Sequence, residues 1–239
     1  MLRVALSCAC AALLACAAVP KLQDPAQSGV YGYLRLVPHE GLSHQGAAAG
    51  ASSGAYGDRR YADVDLVDYS KPGFAVVYLD GPAPGAKGEP LVVSIHSEAD
   101  GVTLAPAHSA VAVGREVVVR NAGDAPRVVS IPAAAVLRAL APGDSLAITA
   151  REAGELEIFV PGAPEAASRV FVAPGPFAPV ADTGRFELLE VEPGARRLHA
   201  WHPRLPPTAR AVELVPGAVL RVDLEIGVGL AAQEPVVAH

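Results

Sequence analysis

The chain has 239 residues, 51% hydrophobic and 18% charged, with a formal net charge of −6; this excludes a disordered chain and leaves no basic surface for nucleic acid. The 23 glycines and 22 prolines exclude a helical bundle or coiled coil and favour short strands joined by turns. Aromatic residues are only 5%, too few for platforms on which bases stack.

Met1-Leu2-Arg3 is a short basic start, and residues 4–14 form an apolar run that is too short to cross a bilayer and the size of a signal-peptide core. Leu13-Leu14-Ala15-Cys16 resembles the lipobox of bacterial lipoproteins, in which a small residue precedes the cysteine that is acylated and becomes residue one. Leu14 departs from that pattern, where a smaller residue is commoner. Ordinary cleavage after Ala17 or Ala18, leaving no lipid, is the alternative. The resemblance implies a signal peptide over residues 1–15, lipidation of Cys16 and attachment to a membrane. The absence of Asp after the cysteine implies the outer membrane in a Gram-negative host. Cys8 and Cys10 lie inside the apolar run, and Met1 is the single methionine. The mature chain therefore holds no thiol beyond Cys16, no thioether and no disulfide.

Residues 16–27 read as a linker. Strands are expected at 31–37, 62–67 and 74–79 from alternating apolar residues. A Gly/Ala/Ser-rich loop spans 38–60, and Lys71-Pro72-Gly73 marks a turn. Gly81-Pro82-Ala83-Pro84-Gly85 is the first break. A second set of short strands follows at 91–97, 102–104, 111–113, 117–120, 128–131, 146–150, 156–160 and 169–172, with a short helix expected over 132–140. Pro174-Gly175-Pro176 is a second break. Four more strands are expected at 185–189, 196–201, 209–214 and 220–226, and residues 228–239 read as a frayed tail. The fold class is all-β, built as two β-sandwiches.

Two resemblances overlie this pattern. Residues 111–172 resemble a cupredoxin, the plastocyanin-like fold. The matching pieces, in order, are Val119-Arg120-Asn121 closing a strand, Leu140-Ala141-Pro142-Gly143-Asp144-Ser145 as a turn, and Gly154-Glu155-Leu156-Glu157-Ile158-Phe159 as a strand. Residues 182–214 resemble the second half of a carboxypeptidase-regulatory-like (transthyretin-like) sandwich, through Asp182-Thr183-Gly184-Arg185-Phe186-Glu187-Leu188, Val191-Glu192-Pro193-Gly194 and Leu198-His199-Ala200-Trp201-His202-Pro203. Gly32-Tyr33-Leu34-Arg35-Leu36 and Ala75-Val76-Val77-Tyr78-Leu79 resemble the opening strands of the latter family. Together they imply one discontinuous sandwich, 28–81 with 177–227, carrying a cupredoxin-like insert at 88–174. The arrangement is similar to methylamine-utilisation or plastocyanin-like envelope proteins.

A blue-copper centre needs two histidines and a cysteine thiolate, usually with an axial methionine. Against the cupredoxin pattern the first histidine falls at about Arg127 and the cysteine near Phe159 or Val160, followed by Pro161-Gly162-Ala163-Pro164-Glu165-Ala166. None of these is the histidine, cysteine or methionine that a blue-copper centre uses, so the resemblance implies the fold without its copper, and no cofactor is expected. Arg127 is expected to face solvent or to pair with Asp124. His96 and His108 are the weak metal candidates, able to approach across a hairpin. His199 and His202 stand three apart, a spacing that on a strand needs a bulge before both rings reach one ion. His39 and His44 fall in the loop. Asp58, Asp63, Asp65 and Asp68 form an acidic run that suits either Ca²⁺ or solvent-facing strand positions. The six tyrosines fall in the first 80 residues, suited to cross-strand packing or to stacking on sugars. No nucleophile or acid–base constellation assembles, so no enzyme is expected.

The reading is a noncatalytic bacterial envelope lipoprotein acting as a binding or assembly module. Its partners are the membrane, through the anchor, and an envelope protein not named by the sequence, with no nucleic acid. A periplasmic metal-handling protein using surface histidines and a carbohydrate-binding module are the alternatives.

Overall fold

A computed structural model describes residues 19–39, 67–82, 88–98, 101–230 and 236–237. Cys16, His44, Asp58, Asp63, Asp65 and residues 62–66 of the strand expected at 62–67 lie outside these residues. Strands occupy most of the described chain: β1 (Ser28–Val37), β2 (Val76–Leu79), β3 (Leu91–Glu98), β4 (Gly101–Ala105), β5 (His108–Ala112), β6 (Glu116–Asn121), β7 (Arg127–Ile131), β8 (Val136–Leu140) and β9 (Ser145–Thr149). They continue as β10 (Gly154–Val160), β11 (Ala163–Ala173), β12 (Phe177–Pro179), β13 (Arg185–Val191), β14 (Gly194–His202), β15 (Leu205–Leu214), β16 (Val219–Arg221), β17 (Leu224–Gly227) and β18 (Val236–Val237). The all-β, sandwich architecture expected from the alternation is what the structure shows.

Four sheets form. In the first, β1 pairs antiparallel with β13 and parallel with β16 and β17; the second has the order β12-β2-β14-β15-β18. The third is β5-β11-β10-β7-β8 and the fourth β4-β3-β6-β9. Alternate residues fill two cores. One draws on Val30, Leu34, Val77, Leu79, Phe186, Leu198, Val212 and Ile226. The other draws on Val93, Ile95, Val117, Val119, Ile131, Leu140, Ile158 and Val170. Each buried Val, Leu or Ile contributes about 1.5–3 kcal/mol.

The chain passes from the first core to the second and back at adjacent points. Leu79 N–H donates to Pro176 O at 2.9 Å. Gly175 is needed there, because a Cβ on it would stand 2.1 Å from Leu79 O. Gly32 plays the same part in the first sheet, where a Cβ would stand 1.8 Å from Val222 O.

Three local expectations are corrected. Residues 132–140 are not a helix: Pro132–Ala134 is a single 3-10 turn, Ala135 closes it in the left-handed region (φ 52), and Val136–Leu140 is strand β8. Local helix propensity of Pro-Ala-Ala-Ala gives way to five ladder pairs with β7. The single strand expected at 220–226 is two, interrupted at Val222-Asp223, where Asp223 Oδ1 accepts Tyr33 N–H at 3.0 Å. Within the expected tail, Val236–Val237 pairs with Val212 and Glu213.

Candidate functional site

Asn121 ends β6 and organises one end of the second sandwich. It is fully buried. Its Nδ2 donates to Ala125 O and Leu140 O, both at 2.9 Å, and its Oδ1 accepts Gly123 N–H at 3.1 Å. Its backbone joins the 141–144 turn, through Asn121 N–H to Asp144 O at 2.9 Å and Gly143 N–H to Asn121 O at 2.8 Å. One amide side chain thereby ties two loops to one strand end, a polar knot that is stable only because every member is satisfied.

Arg127 opens β7 at the same end. Against expectation it neither faces solvent freely nor pairs with Asp124. It is half-buried, with Nη2 3.4 Å from Ser97 Oγ of β3 and with Nε buried and unbonded. Gly123 sits so close that a Cβ on it would stand 2.5 Å from Ser97 Oγ. Across from it β10 runs out through buried Val160 into exposed Pro161-Gly162. The side chains described at this end are the Arg127 guanidinium, the Ser97 hydroxyl, the Asn121 amide, the Asp124 and Asp144 carboxylates and apolar groups, with no thiolate or thioether among them. A guanidinium is permanently cationic and has no lone pair to offer a metal, so the residues at this end do not fit type 1 copper.

The histidines are distributed rather than gathered. His96 is exposed on β3 opposite Thr103, whereas His108 begins β5 opposite Arg169. These strands belong to different sheets, so the hairpin approach expected of His96 and His108 does not form. A register irregularity does occur between Ala200 and His202, yet the two rings there serve separate neighbours. Among the described residues no cluster of three or more His, Cys, Asp or Glu is arranged to hold a metal ion. Asp68 of the acidic run accepts Ser70 N–H at 2.9 Å and the Ser70 hydroxyl. These hydrogen bonds hold its carboxyl below the ordinary range. It makes a turn and needs no ion for it.

What the sequence did not announce is the seam between the sandwiches. Val76, Phe171 and Ala173 form a third buried cluster with Phe74, Tyr78, Ala110, Phe177 and Trp201. Phe171 stacks on Trp201 with ring centres 4.5 Å apart and lies 5.5 Å from Tyr78. Phe74 meets His108 at 5.2 Å and Trp201 edge-on at 6.0 Å. The outer faces of the second and third sheets are thus pressed together. The signal was available in the apolar runs at 74–79 and 170–173, where both strand faces are hydrophobic.

Polar groups line this seam. His199 stacks on Tyr78 at 4.7 Å and 6°, and its Nε2 lies 2.8 Å from Asp80 Oδ1, off hydrogen-bond alignment. Burial, then Asp80, pushes the Tyr78 hydroxyl pKa up. His202 is buried, and its Nδ1 accepts Arg204 N–H at 3.1 Å. Burial, then Arg204, then His108, holds its pKa below the ordinary 6.5, so His202 is neutral at pH 7. Tyr31 and Tyr69 also pack inward, Tyr31 under the Arg185 guanidinium at 5.8 Å. Beside the crossing point a cleft of about 350 Å³ is lined by Asp80, Pro82, Glu190 and Arg196. Arg196 there is already paired with Glu192 at 3.1 Å.

No family model and no curated protein matches the chain. Solved structures similar to part of it include cupredoxins. A purple cupredoxin from Nitrosopumilus maritimus is 17% identical with a TM-score of 0.30, over 34% of this chain and 98% of that one. Amicyanin from Paracoccus versutus is 19% identical with a TM-score of 0.30, over 40% of this chain and 96% of that one. The metal-binding domain of a copper-exporting ATPase from Streptococcus pneumoniae is 18% identical with a TM-score of 0.29, over 36% and 91%.

Proposed function

We propose that the protein is a noncatalytic bacterial envelope lipoprotein, held to the membrane through Cys16, that acts as a binding or assembly module. In this reading a cupredoxin-like sandwich without copper is inserted into a carboxypeptidase-regulatory-like sandwich. The observation that carries it is the donor chemistry around Arg127: a half-buried guanidinium against Ser97 at the end where a copper protein needs imidazole and thiolate. With no cysteine or methionine after residue 16, no other part of the mature chain supplies a soft ligand. The Asn121 knot and the 141–144 turn serve the fold alone, leaving a rigid body whose surfaces bind.

Copper titration tests the reading. The mature protein should stay colourless on Cu(II) addition, with no thiolate-to-copper absorption and no rise in Tm with one equivalent of copper. A tight stoichiometric complex abolished by His96→Ala or His108→Ala would overturn it and favour a metal-handling protein. The anchor has its own assay: the wild-type chain should fractionate with membranes, and Cys16→Ala should release it or block its maturation.

A further inference from the structure

The linker read at residues 16–27 is, in its second half, a docked strap. A Cβ on Gly29 would stand 3.3 Å from Leu22 Cδ2, so Leu22 lies against the start of β1. The Gln23 and Asp24 backbone N–H groups both donate to the Glu190 carboxylate. Ala26 N–H donates to Asp24 Oδ1 at 2.8 Å, and Gln27 O accepts Gly217 N–H at 2.8 Å. Glu190 holds its place with φ 56, a left-handed conformation that a non-glycine residue adopts only at a cost. The strain sits where the carboxylate grips the strap.

Reach follows from this. Six residue steps separate Cys16 from Leu22, at most about 20 Å of chain. Strand β1 alone is ten residues, about 33 Å, and runs away from the strap. The far end of the first sandwich therefore lies beyond the reach of a lipid on Cys16, while the strap end lies within it. The exposed chemistry at the near end suits a headgroup layer. Val19 and Val215 are 59% and 41% exposed, Pro216 lies beside them, and Lys21 supplies a cation. The carboxylates of Asp24 and Glu190 are both occupied by strap N–H groups.

We propose that this end of the first sandwich, comprising residues 19–27 and the 215–219 turn, is the membrane-facing surface, seated on the phospholipid headgroups of the leaflet that holds the acylated Cys16. The proposal rests on the anchor in the proposed function. It goes further by fixing which face meets lipid.

The mature protein, acylated at Cys16, is reconstituted into phosphatidylethanolamine–phosphatidylglycerol vesicles carrying a headgroup quencher. An acylated Cys16 does not react with a maleimide, so Val215→Cys and Arg35→Cys each give a single labelling site. The label at 215 should be quenched several-fold more than the label at 35. Equal quenching, or more at 35, overturns the proposal. Glu190→Gly suits the local backbone while removing the carboxylate. In that background the chain should still pellet with vesicles while the difference between the two labels collapses. An undiminished difference overturns the role of the strap. Wild-type chain left in the supernatant overturns the anchor reading, and this proposal with it. Chain that pellets without the quenching difference overturns this proposal alone.

Discussion

Replacing Asn121 tests whether one buried amide holds the end of the second sandwich together. Asn121→Ala removes two donated hydrogen bonds and one accepted, and leaves Leu140 O, in the buried part of the knot, without its side-chain donor. At about 1 kcal/mol net per bond for the three bonds, with a further about 1–3 kcal/mol for a buried unsatisfied carbonyl, the loss is about 4–6 kcal/mol. That is a large part of the roughly 5–15 kcal/mol that holds a domain together. Asn121→Asp is the sharper probe. It keeps an acceptor for Gly123 but sets a carboxylate oxygen against Ala125 O and Leu140 O, and buries an unpaired charge. Its loss at pH 7 should exceed that of the alanine variant. Burial and the two carbonyls raise the pKa of that carboxyl in the folded state, so the penalty is full above the raised value and fades as pH falls through it, when the protonated group donates one bond. Urea unfolding at about pH 7 and about pH 5, followed by far-UV ellipticity and by the single tryptophan, reads both effects against wild type at each pH. An alanine variant within about 0.5 kcal/mol of wild type, or an aspartate variant with the same deficit at both pH values, would refute the argument.

Other expected outcomes follow from single contacts. Gly175→Ala puts a methyl 2.1 Å from Leu79 O and should lower stability by about 1–3 kcal/mol; an unchanged denaturation midpoint would show that the crossing relaxes freely. His202 has a folded pKa below its unfolded value, so the unfolded chain binds the extra proton and stability falls as pH drops below about 6.5. His202→Asn, which keeps an acceptor for Arg204 N–H, should flatten that slope of Tm against pH, and an unaltered slope would assign it to other groups. Phe171→Ala removes the ring stacked on Trp201 and should cost about 3–5 kcal/mol and shift tryptophan emission to the red, whereas unmoved emission would mean that Trp201 is shielded without it.

How much was legible depends on whether the information is local. Val117, Val119 and Asn121 alternate inward along β6, and that period of two is written in consecutive residues. The 141–144 turn likewise carries its Pro-Gly-Asp in place. Residues 132–140 are the complementary case. Three alanines after a proline favour a helix locally, but β7 lies alongside and its ladder decides. The site residues divide in the same way. That Arg127 and residues 159–166 bring no thiolate or imidazole was plain from their identity. That the guanidinium would settle half-buried on Ser97, thirty positions away, was not.

The sequence by itself determined the all-β class, the two breaks around the middle segment and the chemistry missing from it, because alternation, turn residues and side-chain type are properties of short stretches. Tertiary structure alone decided the contacts between distant stretches. It pressed the outer face of β11 against β2 and β14, so that Phe171 meets Tyr78 and Trp201. It bent Glu190 into a left-handed conformation to grip residues 166 and 167 positions before it. It also set His96 and His108, twelve residues apart, on different sheets. A strand records which of its faces is apolar, but the identity of the face it meets is fixed only when the rest of the chain has folded against it.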